Sequence, residues 1–293
     1  MRPRSISLIA SAAVIAVALA LAACPGQDDK HDDLAGYRAQ LRVGYAIEPP
    51  YSFLSETGEV TGEGPEIVRH VAARLELDNV RWILMGFGSL IDELRDGRID
   101  VVGTPMFITP ERTSLVRFSV PVSQVGQGLL VLGGNPKKLH SYEDAAAHAD
   151  AVVAVLAGAV EKGILQDQGL PADRVFVAQD VETALSALRH GRVDGLALTS
   201  PTVNHLASRS NGLFEAATPF TGPVVDGTTY FGLSALVFRP HDEALARAFN
   251  AVLTEFIGSQ EHREIVQSLG FGPETIPPHP ATPRPPARES VPK

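Results

Sequence analysis

Apolar positions along this chain fall into two alternating kinds of run. Short runs at Leu41–Ile47, Val80–Met85, Ile99–Val102, Ala151–Leu156, Val175–Val177, Leu196–Leu198 and Leu233–Phe238 have the length and composition of strands. Between them lie segments with helical character. Ile67, Val68, Val71, Ala72 and Leu75 share one face after Pro65; Leu90, Ile91 and Leu94 form a second segment; Val181–His190, Asp242–Ile257 and Glu261–Leu269 are further helices. Strand and helix alternate, so the pattern predicts an α/β protein. Val122–Leu132 is a long β-type run closed by Gly133-Gly134-Asn135-Pro136, expected to carry the chain from one lobe to another, with Phe220–Tyr230 bringing it back.

The stretch Gly103–Pro121 gathers the strongest local signals. Thr109 reads as an N-cap, Pro110 takes the first helical position and Glu111 sits in the first turn. A short helix should therefore start where a strand ends, with N–H groups pointing outward. Arg112 in that turn is a candidate hook for a carboxylate. Phe107 just before it suits a ligand with an apolar or cationic body. Other junctions look similar. Pro49 and Pro50 hold a loop extended and present Glu48 and Tyr51; Phe87 lies in Gly86-Phe87-Gly88; and Ala157-Gly158-Ala159 turns into a helix from Val160, a second start suited to an anion. Ligands of open α/β sheets bind along this edge. Each residue also has a plainer reading: Tyr51, Phe53 and Phe107 as core, Arg112 in a surface ion pair, Glu48 solvated.

Leu94–Val102 is echoed by Leu188–Leu196, each a helix end, a glycine cap and a buried strand. Two such units about ninety residues apart suggest two lobes. Asp100 and Asp194, at matching places, are expected to tie down a turn rather than to do chemistry.

The N-terminus adds an address. Arg2 and Arg4, the apolar run Ile6–Ala20 and Leu21-Ala22-Ala23-Cys24 form a signal peptide too short to favour a spanning helix. Leu-Ala-Ala-Cys resembles the bacterial lipobox, which implies lipid attachment at Cys24. Cys24 is the sole cysteine of the 293 residues, so the exported chain has no disulfide and no thiol nucleophile. Removal of residues 1–23 takes Arg2 and Arg4 away and moves the formal charge from −9 to −11. An acidic chain without a basic stripe argues against nucleic acid as a partner. The nine histidines show no metal spacing, and G-x-S-x-G, P-loop, H-E-x-x-H and G-x-G-x-x-G motifs are missing. No metal, cofactor or enzymatic activity is expected. Residues 24–37 read as an acidic tether and 273–293 as a proline-rich disordered tail.

From about Leu41 to Gly272 the chain resembles the family 3 solute-binding proteins of bacterial ABC transporters. The resemblance rests on Gly62-Glu63-Gly64-Pro65-Glu66-Ile67-Val68, Gly88-Ser89-Leu90-Ile91, Gly97-Arg98-Ile99-Asp100, Ile108-Thr109-Pro110-Glu111-Arg112 and Phe118-Ser119. It implies a two-lobed periplasmic-binding-protein-like fold of type II, hinged by two crossing strands and closing on its ligand. Lobe 1 would comprise 38–125 and 223–272, and lobe 2 would comprise 126–222. Family members that bind amino acids usually have Ser or Thr where Phe107 stands and Asp, for the α-ammonium, where Thr199 stands. With Met106–Arg112, Ala197-Leu198-Thr199 and Pro223–Gly227, the chain is similar to the ectoine/hydroxyectoine-binding branch. That similarity implies Tyr51, Phe87 and Phe107 around a cyclic amidinium, Glu48 accepting from its N–H groups, and Arg112 on the carboxylate, helped by backbone N–H groups near Ala159 and Val160. Thr199 would replace the usual acid. The implied protein is a monomer, lipid-anchored to the outer face of the cell membrane, delivering a small zwitterion to an ABC permease. Another compatible solute or a polar amino acid is the nearest alternative. A periplasmic dehydratase, with Glu48 as the acid or base, and a sensory module feeding a kinase are more distant ones.

Overall fold

The computed structural model describes residues 33–225 and 227–278. The expected signal peptide 1–23, the expected lipid attachment at Cys24, the expected tether up to residue 32 and the expected tail from residue 279 lie outside the described residues.

Nine strands carry the architecture: β1 Leu41–Tyr45, β2 Val80–Leu84, β3 Val101–Phe107, β4 Ser123–Leu132, β5 Val153–Leu156, β6 Val175–Ala178, β7 Gly195–Thr199, β8 Phe214–Ala216 and β9 Phe231–Phe238. Ten α-helices accompany them among the described residues: α1 Ala35–Ala39, α2 Glu63–Arg74, α3 Leu90–Arg95, α4 Pro110–Thr113, α5 Tyr142–Ala147, α6 Glu161–Asp167, α7 Val181–Arg189, α8 Ser200–Ser208, α9 Glu243–Phe256 and α10 Gln260–Ser268. The main path runs β2-β1-β3-β9-β4-β7-β5-β6, with β8 on β4. β1 is parallel to β2 and β3, and β5 is parallel to β6 and β7. The antiparallel strands β9 and β4 join these two parallel sets. β4 is the crossing strand: it pairs with β9 from Ser123 to Gly126, then with β7 from Gln127 onward. The return passes through a hairpin, Val224–Val225 against Thr228–Thr229, before β9 begins.

Side chains alternate across each parallel set, so each lobe has a core on both faces of its sheet. In one lobe Val43, Val101, Ile67 and Phe249 pack on one side, and Ile99, Val102, Leu90 and Leu94 on the other. In the other, Leu129, Val131 and Val153 face Tyr142 and Leu165, while Leu130, Ala154 and Leu196 face Leu188.

The echoed segments perform one structural task twice. Asp100 Oδ2 accepts from Arg42 N at 2.9 Å, and Asp100 N donates to Arg42 O at 2.8 Å. Asp194 Oδ2 accepts from Val152 N at 2.9 Å, and Asp194 N donates to Val152 O at 2.7 Å. Each aspartate thus locks the turn leading into its strand onto the neighbouring strand. Arg42 and Arg239 complete the charge around Asp100, and Lys137 does so for Asp194.

Three expectations are corrected. The tether ends earlier than residue 37: α1 begins at Ala35, and Leu34 and Tyr37 pack against the first core, where apolar contact outweighs the acidity just upstream. The tail begins later than residue 273. Pro273 opens a 3₁₀ turn to Thr275, which is buried, and Ile276 packs with Phe271, Val266 and Tyr51. Proline fits the first position of such a turn, so its presence did not mark disorder. Helix α2 begins at Glu63, before Pro65, because Gly62 adopts φ 118° and turns the chain there. That early start buries the Glu63 carboxylate, whose two oxygens have no hydrogen-bond partner.

Candidate functional site

The eight residues singled out from the sequence as ligand contacts, Glu48, Tyr51, Phe87, Phe107, Arg112, Ala159, Val160 and Thr199, line one cavity. Glu48, Tyr51, Phe87, Phe107 and Arg112 come from the ends of β1, β2 and β3, whereas Ala159, Val160 and Thr199 come from the ends of β5 and β7. The walls therefore belong to both lobes.

Arg112 is placed by strictly local rules. Thr109 Oγ1 accepts from Arg112 N at 3.2 Å, as an N-cap should, with Pro110 at the helix start. The guanidinium is buried, 5.9 Å from the Phe87 ring centroid. Nη1 donates to Phe107 O and Nη2 to Gly158 O, both at 2.9 Å. It forms no ion pair with a carboxylate among the described residues, and its other N–H groups have no acceptor there. Burial lowers its pKa; the charge of Glu161 is the largest opposing influence. A desolvated guanidinium with unspent donors is suited to an anion.

The aromatic residues divide between wall and core. The Phe107 ring stands edge-on to Tyr230, with centroids 6.1 Å apart. It lies over Gly232, where an added Cβ would come within 2.2 Å of Phe107 Cε1. Tyr51 faces the cavity yet packs edge-on against Phe271 at 5.3 Å, so the functional and packing readings both hold for it.

A line of hydroxyls crosses the cleft. Tyr51 Oη donates to Thr199 Oγ1 at 3.0 Å, Thr199 Oγ1 to Thr202 Oγ1 at 3.3 Å, and Thr202 Oγ1 to Glu48 Oε1 at 3.2 Å. The Glu48 pKa is raised to about 7, chiefly by burial and then by the charge of Glu161.

Sequence reasoning missed Glu161, the first residue of α6. Its side chain is 4% exposed and lines the same cavity. Burial raises its pKa to about 7, against the pull of its own backbone N–H, of Arg112 and of Gln127. The Gln127 amide lies close enough to matter, but Gln127 Nε2 completes no hydrogen bond. Gln127 Oε1 accepts from Tyr142 Oη at 3.2 Å. One of the amides expected to receive an anion in this lobe, that of Ala159, is already engaged. Ala159 N donates to Leu156 O at 3.1 Å, and the Glu161 carboxylate accepts from its own N–H. Glu48 is therefore not the sole acid in the cleft. A glutamate in a helix's first turn is so ordinary that its sequence context carries no cue to its orientation.

No helix among the described residues is long and apolar enough to cross a membrane, and no cluster of three or more metal-ligating side chains occurs among them.

Residues 41–271 match the model of the bacterial extracellular solute-binding proteins, family 3. Over 241 residues, 82% of this chain and 79% of the relative, the sequence is 35% identical to a probable amino-acid ABC transporter periplasmic-binding protein, y4tE, of Sinorhizobium fredii (strain NBRC 101917 / NGR234). The crystal structure of EhuB in complex with hydroxyectoine superposes with a TM-score of 0.74 at 30% identity, covering 82% of this chain and 93% of EhuB. An ancestral arginine-binding protein bound to arginine superposes at 0.67 with 25% identity, covering 79% and 98%. With its type II periplasmic-binding-protein fold and a cleft lined from both lobes, the chain belongs to the bacterial extracellular solute-binding proteins, family 3, and is a solute-binding protein of an ABC transporter.

Proposed function

We propose that the cleft captures a small zwitterion joining a carboxylate to a delocalised cation, with ectoine or hydroxyectoine as the best-fitting ligands, and delivers it to the permease. Cys24 would carry the lipid that holds the protein, as a monomer, at the outer face of the cell membrane. The observation that carries this reading is Thr199. A primary ammonium needs a dedicated anion, and Thr199 offers a hydroxyl already engaged by Tyr51 and Thr202. An amidinium instead spreads its charge over a flat ring, which Tyr51, Phe87 and Phe107 can face while Glu48 accepts its N–H groups. Arg112 then takes the carboxylate. The similarity to EhuB bound to hydroxyectoine supports this assignment. Arginine is the second reading, favoured by the pair Glu48 and Glu161 and by the similarity to an arginine-bound protein. Enzymatic turnover is not proposed, because the matching family and the similar relative are solute-binding transport proteins.

A thermal-shift and calorimetry panel of ectoine, hydroxyectoine, arginine, glutamine and glycine betaine tests the assignment. Ectoine at about a hundred times its dissociation constant should add roughly 2.7 kcal/mol of stability. A saturable shift with arginine and none with ectoine would transfer the assignment to the second reading.

Closure should depend on two glycines. Gly158 has φ 76°, and a Cβ on it would lie 2.7 Å from Gly88 Cα on the facing lobe. Gly158→Ala should therefore prop the cleft open and weaken ligand binding by about 1–3 kcal/mol. Gly191→Ala is the control, with φ 65° but nothing within 4 Å of the added atom, so it shares the backbone cost alone. Equal ligand affinity in both variants would show that this contact does not limit closure.

A further inference from the structure

Three charged side chains line the cavity: Glu48, Glu161 and Arg112. The proposed ligand uses two of them, Arg112 for its carboxylate and Glu48 for its cation. Glu161 is left over, and it is not remote. It approaches from the lobe opposite to Glu48 and is the charged group that most influences Arg112. An anion seated on Arg112 therefore arrives beside a second carboxylate inside a space with little water to screen the repulsion. An ionised Glu161 would oppose the very group that Arg112 is built to hold. A neutral Glu161 would do the reverse, because a carboxyl O–H makes a short, strong bond to a carboxylate.

The groups around Glu161 permit this change of state. Glu48, from the loop after β1, disfavours two negative charges, and Arg112, from α4, favours one. Gln127 of β4 presents an amide nitrogen that completes no hydrogen bond; it and the Glu161 backbone N–H favour the charged form, against the burial that favours the neutral one. Tyr51, Tyr142 and Tyr230 are held neutral by burial and carry no compensating charge. Of the two carboxyls, Glu48 already accepts from the Thr202 hydroxyl, which favours its charged form, so the added proton is assigned to Glu161.

We propose that Glu161 binds the ligand as the neutral acid, donating its proton to the carboxylate held by Arg112, so that each capture takes one proton from solvent and each release returns it. The proton adds to a Glu161 carboxylate oxygen; no bond of the ligand is made or broken. This inference rests on Arg112 being the carboxylate hook, and it makes Glu161 a residue that selects for anionic groups rather than against them.

Calorimetry at pH 8 in two buffers of different ionisation enthalpy, with ectoine and with arginine as probes, reads the proton directly. At that pH Glu48 is already mostly ionised and releases little. The wild type should take up close to one proton per ligand and E161Q close to none. E161Q should bind the ligand at least as tightly at pH 8, since glutamine remains a neutral donor, and its affinity should not follow pH. Wild-type affinity should fall by up to roughly tenfold per pH unit above pH 8, the slope of a single linked proton. Equal proton uptake by the two proteins would overturn the proposal, as would a tenfold or larger loss of affinity in E161Q at both pH 6 and pH 8. That loss would make Glu161 a counter-ion for the ligand's cation. If neither probe binds the wild type, the functional assignment fails along with this inference; if one binds and the proton number is unchanged, this inference fails alone.

Discussion

Arg112→Ala is expected to weaken binding of a carboxylate-bearing ligand by about 2–5 kcal/mol, roughly 30- to 5,000-fold, while leaving a folded protein. The size follows from the setting. The guanidinium is 8% exposed, so a pair formed with it is poorly screened, and removing it leaves the ligand's anion unpaired in the closed cleft. Folding should suffer less. Arg112 bonds only two carbonyls, those of Phe107 and Gly158, and its burial already costs desolvation energy that the substitution relieves. Arg112→Lys should fall between the two, keeping a charge but losing the planar fork. One of the two bonds crosses the cleft, so Arg112 could also act by holding the lobes together. A ligand whose carboxylate is replaced by an amide separates these roles. If wild type and Arg112→Ala differ as much for the amide as for the acid, Arg112 is a clasp and does not read the anion.

Glu63→Gln is expected to stabilise the protein above neutral pH, by up to roughly 4 kcal/mol in denaturant titrations at pH 8.5, and to have no such benefit at pH 4.5. The Glu63 carboxyl is buried with both oxygens unpartnered, and burial raises its pKa to about 8, with the nearby Ser123 hydroxyl pulling the other way. The native state therefore keeps its proton over a range in which the unfolded chain has lost it. Between about pH 4.5 and pH 8 the native state binds more protons, so stability falls as pH rises and the favourable term is gone above pH 8. Glu48 and Glu161, each raised to about 7, act with the same sign. His205 and His262, lowered to about 4 by burial, act oppositely between about pH 4 and pH 6.5. The difference between variant and wild type isolates Glu63 from these groups. A constant difference between pH 5 and pH 8.5 would mean that the carboxyl has a partner that keeps it charged.

The readings that held up are those whose cause lies within a few residues. Thr109, Pro110 and Arg112 form a cap, a helix start and a first turn, each dictated by its neighbours. Asp100 and Asp194 were legible because the same nine-residue pattern recurs and the same pair of backbone bonds follows. The resemblance to known solute-binding proteins supplied what locality could not, namely which strand ends meet. Glu161 and Glu63 stayed hidden for the same reason as each other. Both are glutamates in the first turn of a helix, where solvent exposure is the common outcome, and only the packing of distant segments turns them inward. The segment Pro273–Ile276 misled through composition. Its prolines suggest an extended tail, but its fate was decided by Phe271 and Val266, which offer Ile276 an apolar seat behind Tyr51.

The hydroxyl line from Tyr51 through Thr199 and Thr202 to Glu48 has a kinetic consequence. Its bonds from Tyr51 to Thr199 and from Thr202 to Glu48 join one lobe to the other inside the cleft, and the contact from Arg112 to Gly158 does the same. They must break before a captured molecule can escape, yet they need not form before it enters. Their strength therefore sets residence time more than the rate of capture. Two solutes with equal contacts to the walls would share this brake equally. A permease that prises the lobes apart would act first on the hydroxyl line, shortening the dwell of its cargo without competing for any atom of it.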